Sequence, residues 1–308
     1  MQGHQFHKRV QAQRRAKVFK LAGPRYTPKL NVGVSIASVF DGLGRTTAFY
    51  ELLKKPGTEL LKNIRSVKDE EVRKVAGESF AALQALCVEV ANLVAKVPLS
   101  GVEPIDFGLL GTVSKRASEA ASKCVHLLYE AEEAERKRKA EEIALAKPSA
   151  KKESRSSYGE IYRNERYYLH QVIGNLRSLV ELSGSNIALA ANKPRVLLNG
   201  IAGSGKTHFL CDLAKHRIDR GQPTFIYLGE EISTRNPWGA IKGFLKIALP
   251  DEEFLAALNR YAAAKRTRAV IIVDAVNESL ARPYWAQLNK VKRFKNLAIV
   301  LSVRSGFE

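Results

Sequence analysis

The chain has 308 residues, 45% of them hydrophobic and 26% charged, which is enough for two ordinary domains and leaves room for a buried core. No stretch approaches the ~18 uninterrupted apolar residues of a membrane span, and the first thirty residues lack the apolar block of a secretory signal, so a cytoplasmic protein without membrane attachment is expected. The formal charge of +19 directs attention to anionic partners.

That charge is unevenly spread. Residues 1–65 carry 13 basic and 3 acidic groups, residues 66–130 carry 7 and 9, and residues 157–308 carry 22 and 13; the first thirty contain no acid at all. The basic arm around Lys8, Arg9, Arg14 and Arg15 is of the kind that holds a nucleic-acid backbone by counterion release, or simply remains a solvated tail. Cys87, Cys124 and Cys211 lie far apart with no CxxC pair, so neither zinc nor a disulfide framework is indicated.

Along the chain, Gly23-Pro24 and Thr27-Pro28 punctuate an extended or turning segment that ends in a strand-like run at 30–34. From about Thr46 to Lys147 the apolar residues recur at helical steps, as in Val75, Phe80, Leu83, Leu86, Val90, Leu93 and Val94. Pro98 and Pro104 interrupt the pattern, and a second long helix is predicted over 109–146. Residues 132–157 begin as a charge-alternating helix with little apolar face and end in a Lys/Ser-rich joint around Pro148. The organisation expected is an arm at 1–45, an α-helical domain at 46–147, a linker at 148–157, and a second domain at 158–308 that opens with an amphipathic helix over 158–182.

From 195 onward, apolar runs alternate with helical intervals. Residues 196–198, 224–228, 270–273 and 297–301 are continuous apolar strands of the kind a parallel sheet covers on both faces. Helices are expected at about 206–220, 237–248, 251–265 and 283–293. The fold class is therefore α/β, a three-layer sandwich on a parallel sheet, preceded by a mostly helical region.

The sequence Gly200-Ile-Ala-Gly203-Ser204-Gly205-Lys206-Thr207 fits GxxxxGK[ST], with a strand before it and a helix after it. Glycines allow the loop to wrap phosphate oxygens, Lys206 supplies a cation to the β- and γ-phosphates, and the Thr207 hydroxyl is a magnesium ligand. His208 follows on the first turn of the helix, the last member of the predicted nucleotide-contacting segment, and there it suits packing better than chemistry. A metal held by that hydroxyl needs a carboxylate opposite. Val270-Ile-Ile-Val273-Asp274 offers one at the carboxyl end of an apolar strand, where ligands bind in such sheets. Four residues on, Glu278 is placed to orient and deprotonate an attacking water, with Asn277 assisting. Arg304, at the end of the last strand, is placed to sense a γ-phosphate; Ser302 or Ser305 would make the same contact more weakly.

With those residues in view, the chain resembles the STAND class of signalling P-loop ATPases, in particular its NACHT-like branch. Asp274-Ala-Val-Asn-Glu278 is similar to the branch's pattern of a strand-ending Asp, a small residue, an apolar residue and two polar or acidic residues, and Ser302-Val-Arg304 matches its Ser/Thr-x-Arg pattern. Asn277 departs from the pattern, which commonly has a second acid there. Residues 22–32 are also similar to a segment of bacterial antiviral STAND proteins. The resemblance implies ATP and Mg2+ as cofactors, nucleotide-controlled homo-oligomerisation, a viral or protein trigger, and a place in antiviral defence. It further implies a fifth strand, a lid and a sensor region beyond Glu308, so that the chain reads as an N-terminal fragment or a truncated gene product with the strand at 196–199 at an open sheet edge. Two other readings compete: a motor-type ATPase acting on nucleic acid through the basic arm, and a nucleotide-binding interaction module without turnover.

Overall fold

A computed structural model describes residues 37–98, 102–145, 161–232, 236–279 and 282–305. The basic arm, the strand-like run at 30–34 and the linker at 148–157 lie outside the described residues. Two compact units emerge, one of residues 50–98 and 106–185, the other containing 37–49, 102–105 and 186–305.

The first unit is helical. α1 (Ala37–Gly44) belongs to the second unit, and α2 (Thr47–Ser66), α3 (Asp69–Lys96), α4 (Phe107–Leu145) and α5 (Arg163–Ser183) follow it. Buried residues recur at three- and four-residue steps on α3 (Val72, Ala76, Phe80, Leu83, Cys87, Val90, Val94) and on α5 (Leu169, Val172, Ile173, Leu176, Leu179). That period places one stripe of each helix against its neighbours. By length and composition α3 is apolar enough to cross a membrane; Phe80, Leu83, Val90 and Val94 are buried in this unit, while Val88 is exposed. The distal half of α4 is held by ion pairs along its own surface, Glu133 with Lys137 at 2.9 Å and Glu135 with Arg138 at 2.8 Å. Its inner flank ends in a buried pair between Glu132 and Arg166, whose guanidinium also covers the Tyr129 ring at 4.3 Å.

α5 was expected to open the second domain; it packs on α4 instead, because its apolar stripe is matched by the stripe on that helix. Conversely, α1 and residues 102–105 join the second unit through arginine side chains. Arg268 donates to the carbonyls of Leu43, Ala191, Lys295 and Val102, and Arg45 donates to those of Ala191 and Glu103 and to Asn192 Oδ1. Both are buried, and cations placed at the carbonyl ends of α1 and of α6 (Asn186–Asn192) suit the helix dipole.

The second unit is a three-layer α/β sandwich. Its strands are β1 (Arg195–Gly200), β2 (Thr224–Leu228), β3 (Ala269–Asp274) and β4 (Leu297–Arg304), all parallel, in the order β1-β4-β3-β2. Ile226, Val270, Ile272, Ala298 and Val300 face α1, α6 and α7 (Lys206–Asp219), while Phe225, Tyr227, Ile271, Val273 and Ile299 face α8 (Pro237–Phe244) and α9 (Asp251–Ala264). β2 and β3 are covered on both faces, as their unbroken apolar runs require.

β1 differs. It lies at the sheet edge and alternates between exposed and half-buried residues, with Leu197 59% exposed, so only the face carrying Val196 and Leu198 is covered. Two helical expectations also shift. α8 stops at Phe244 because Lys246 takes a left-handed conformation and the Ile247 N–H returns to the Lys242 carbonyl. Residues 282–293 form a 3-10 helix, not an α-helix, and Trp285, Leu288, Val291 and Phe294 meet the core at strict three-residue intervals, the 3-10 repeat.

Candidate nucleotide site at the carboxyl edge of the sheet

β1 ends at Gly200, and a five-residue turn leads into α7 at Lys206. Gly203 and Gly205 adopt φ of 78° and 80°, a region that side chains with a Cβ resist, so the loop can fold tightly back before the helix begins. The Lys206 ammonium turns into this loop, donating to the Gly200 carbonyl at 2.5 Å, the Ile201 carbonyl at 2.8 Å and Ser204 Oγ at 3.3 Å. A cation and the positive end of a helix therefore meet at this loop, an arrangement suited to phosphate oxygens. His208 is half-buried on the first helical turn.

Asp274 closes the other side. The β-strand carries it to the carboxyl edge, where it is 1% exposed. Its Oδ2 accepts a hydrogen bond from Thr207 Oγ1 at 2.5 Å, and its Oδ1 accepts one from Ser302 Oγ. Ser302 in turn accepts the Ala275 N–H at 2.8 Å. Because β4 lies between β1 and β3, its side chains can serve both, and the serine fixes the carboxylate while the loop threonine faces it. One turn beyond Thr207, Cys211 is buried; burial and then the nearby Asp274 carboxylate push its thiol up to about 12, so it remains protonated and contributes packing.

After Asp274 the chain turns sharply. Ala275 takes a left-handed conformation, φ 52° and ψ 51°, which for a residue with a Cβ stores roughly 1 kcal/mol or more. The corner is held from outside by the 3-10 turn after β2 (Gly229–Glu231): a Cβ on Gly229 would overlap the Ala275 carbonyl oxygen. The short 3-10 turn at 276–278 then buries Asn277, whose Oδ1 accepts the Arg304 N–H at 3.1 Å, and leaves Glu278 exposed. Glu278 Oε1 and Arg304 Nη2 form an ion pair at 2.6 Å with side chains 34% and 49% exposed. Exposure of this kind limits such a pair to about 1 kcal/mol at most, so it is easily exchanged for another partner. At the far side, the Ser305 N–H bonds the Gly200 carbonyl at 3.1 Å and its hydroxyl reaches Asn199 Oδ1 at 3.2 Å.

Lys206, Thr207, Asp274, Glu278 and Arg304 thus line one edge of one sheet, with the glycines of the loop among them. Ser302 and Ser305 are engaged differently from the expectation that they reach phosphate: the first is fully buried against Asp274 and the second binds Asn199. Sequence reasoning missed the positioning role of Ser302 and the steric role of Gly229. Only the order of the strands reveals either, though a hydroxyl two residues before a strand-end arginine was a usable signal for the first.

Magnesium fits the donors present. Among the described residues no three His, Cys, Asp or Glu side chains gather into an all-protein metal cage. A threonine hydroxyl in contact with a buried carboxylate is what a hard cation requires when phosphate and water supply its remaining oxygens.

No protein-family model matches the chain, and no curated protein matches it. One solved structure is similar, that of Cdc6p from Pyrobaculum aerophilum, at 21% identity and a TM-score of 0.28, over 36% of this chain and 33% of that one. The match spans about a third of that structure's length, and so slight a likeness leaves the reading of this unit to its own sheet order and loop geometry.

Proposed function

We propose that the α/β unit binds ATP with Mg2+ and hydrolyses it slowly, as the nucleotide-controlled element of a signalling switch of the STAND type. The observation that carries the nucleotide reading is the 2.5 Å contact between Thr207, on the loop after β1, and Asp274, at the end of β3. Two residues 67 positions apart in sequence share one point at the sheet's carboxyl edge, where ligands settle in open parallel sheets. Lys206 leaves its loop carbonyls for phosphate oxygens, gaining a charged acceptor for neutral ones. Thr207 and Asp274 would hold the metal, which when bound would neutralise charge on the phosphate oxygens. Glu278 accepts a proton from water, and to do so it must part from Arg304. A γ-phosphate offers Arg304 a competing anion, which links occupancy of the site to release of the carboxylate.

The switch reading rests on this exchange together with the resemblance of 274–278 and 302–304 to STAND proteins. In such a device, signalling depends on different contacts in two states, not on turnover. Antiviral defence, assembly into homo-oligomers and a viral or protein trigger are parts of the proposal supported by that resemblance alone. Calorimetry tests the site: Lys206→Ala should lose most ATP affinity, and Glu278→Ala should retain binding while slowing phosphate release at least tenfold. Undiminished ATP binding by Lys206→Ala overturns the assignment.

A further inference from the structure

The helical unit contains a groove of about 640 Å3 between α2 and α3. Lys54, Thr58, Leu61 and Arg65 line it from α2 at intervals of four, three and four residues, one stripe running three turns along the helix. Lys62 stands on its rim, while Ala91, Val94 and Ala95 form the α3 side. The helices touch at Gly57, where a Cβ would lie 3.0 Å from Val94 Cγ1, so the floor is set by close backbone approach and cannot be filled from inside. Among the described residues, three cations and no acid line the groove. Lys62 pairs with Glu59 at 3.6 Å, with side chains 71% and 40% exposed.

We propose that this groove is a docking site for an acidic amphipathic helix of a partner protein. The rim supplies cations spaced over about 16 Å, the rise of eleven helical residues. The floor supplies aliphatic surface for apolar anchors at i, i+3 or i+4 and i+7, the pattern by which helices enter grooves. Two walls and an open outer side suit a rod better than an enclosed small molecule. Among the described residues no aromatic ring lines the groove, so it offers none of the stacking platform that single-stranded nucleic acid uses. The complementary charge that the three cations select is therefore that of Glu- or Asp-rich helix flanks.

The test uses the full chain and a fluorescein-labelled 18-residue helix with Leu at the anchor positions and Glu on both flanks, read by anisotropy. Micromolar binding is expected, with at least a tenfold loss in K54E/K62E/R65E, where Lys62 and Arg65 are exposed and Lys54 half-buried, and a comparable loss in Ala95→Trp, which fills the groove without changing charge. The same peptide with Lys in place of Glu should not bind. Circular dichroism and ATP binding of both variants should match the parent, which separates failure here from failure of the nucleotide reading. Absence of binding, equal binding by the charge-reversed chain, or preferential binding of a single-stranded oligonucleotide that K54E/K62E/R65E abolishes would each overturn the proposal.

Discussion

Ser302→Ala probes how the carboxylate at the centre of the site is held. The hydroxyl is fully buried, donates to Asp274 Oδ1 and accepts the Ala275 N–H. A hydrogen bond to a charged group contributes about 1.5–3 kcal/mol and one between neutral groups about 0.5–1.5, and the space left by one oxygen is too small to admit water readily. Removing both bonds should destabilise the α/β unit by about 2–4 kcal/mol, and with a urea dependence of about 2 kcal/mol per molar the midpoint should fall by roughly 1–2 M. The functional cost should be separate and specific. Partners that orient metal ligands are typically worth 10–100-fold in metal affinity, so Mg2+-dependent ATP binding should weaken by at least tenfold while Mg2+-free nucleotide binding changes little. Calorimetry with and without Mg2+, beside urea unfolding followed by circular dichroism, reads both effects. A variant with an unmoved midpoint and Mg2+-ATP affinity within twofold of the parent would refute the role given to this serine.

Three further outcomes follow from the same contacts. Gly229→Ala should push a methyl group against the Ala275 carbonyl, costing roughly 1–3 kcal/mol of overpacking, and should shift Asp274 enough to weaken Mg2+-ATP binding, as urea unfolding and calorimetry can show. Arg268→Ala removes a buried guanidinium that ties carbonyls of four separate segments together; a loss of about 3–5 kcal/mol is expected, with early amide exchange in α1 and residues 102–105. Asp251 is subject to burial, which raises its pKa, but hydrogen bonds from Lys242 and Lys290 outweigh that and leave it lowered. Its contribution to stability is therefore present above the unfolded value of about 3.9 and is lost as pH falls through the folded one. Acid titrations of the parent and Asp251→Asn should differ at neutral pH and converge once the pH has fallen below the folded-state value.

Much of the site was legible because it depends on local chemistry. A strand, a glycine turn and Lys206-Thr207 are contiguous, and only a glycine-rich turn bends back into a helix at φ near 80°. Asp274 was visible as the one polar end of an apolar run. The long helices were legible for the same reason, since the three- and four-residue steps of α3 and α5 repeat in the chain itself. Residues 282–293 carried an equally regular period of three, but a helical expectation absorbed it into the commoner α repeat.

Pairing across the chain is another matter. That β4 separates β1 from β3 follows from how twisted strands and their covering helices pack, and this ordering sets Ser302 on Asp274 and Arg304 beside Glu278. α5 has an apolar stripe that would suit either unit, and only the matching surface of α4 selects one. Residues 37–45 look like part of an arm, 46–49 like the start of the helical domain and 102–105 like a break between helices; buried arginines capping carbonyls far away in sequence bind them to the α/β unit. What a run of residues can decide alone is its own dihedral angles and its own apolar face, whereas choosing a partner for that face is a comparison among all the surfaces the chain can offer, and it is made only when they meet.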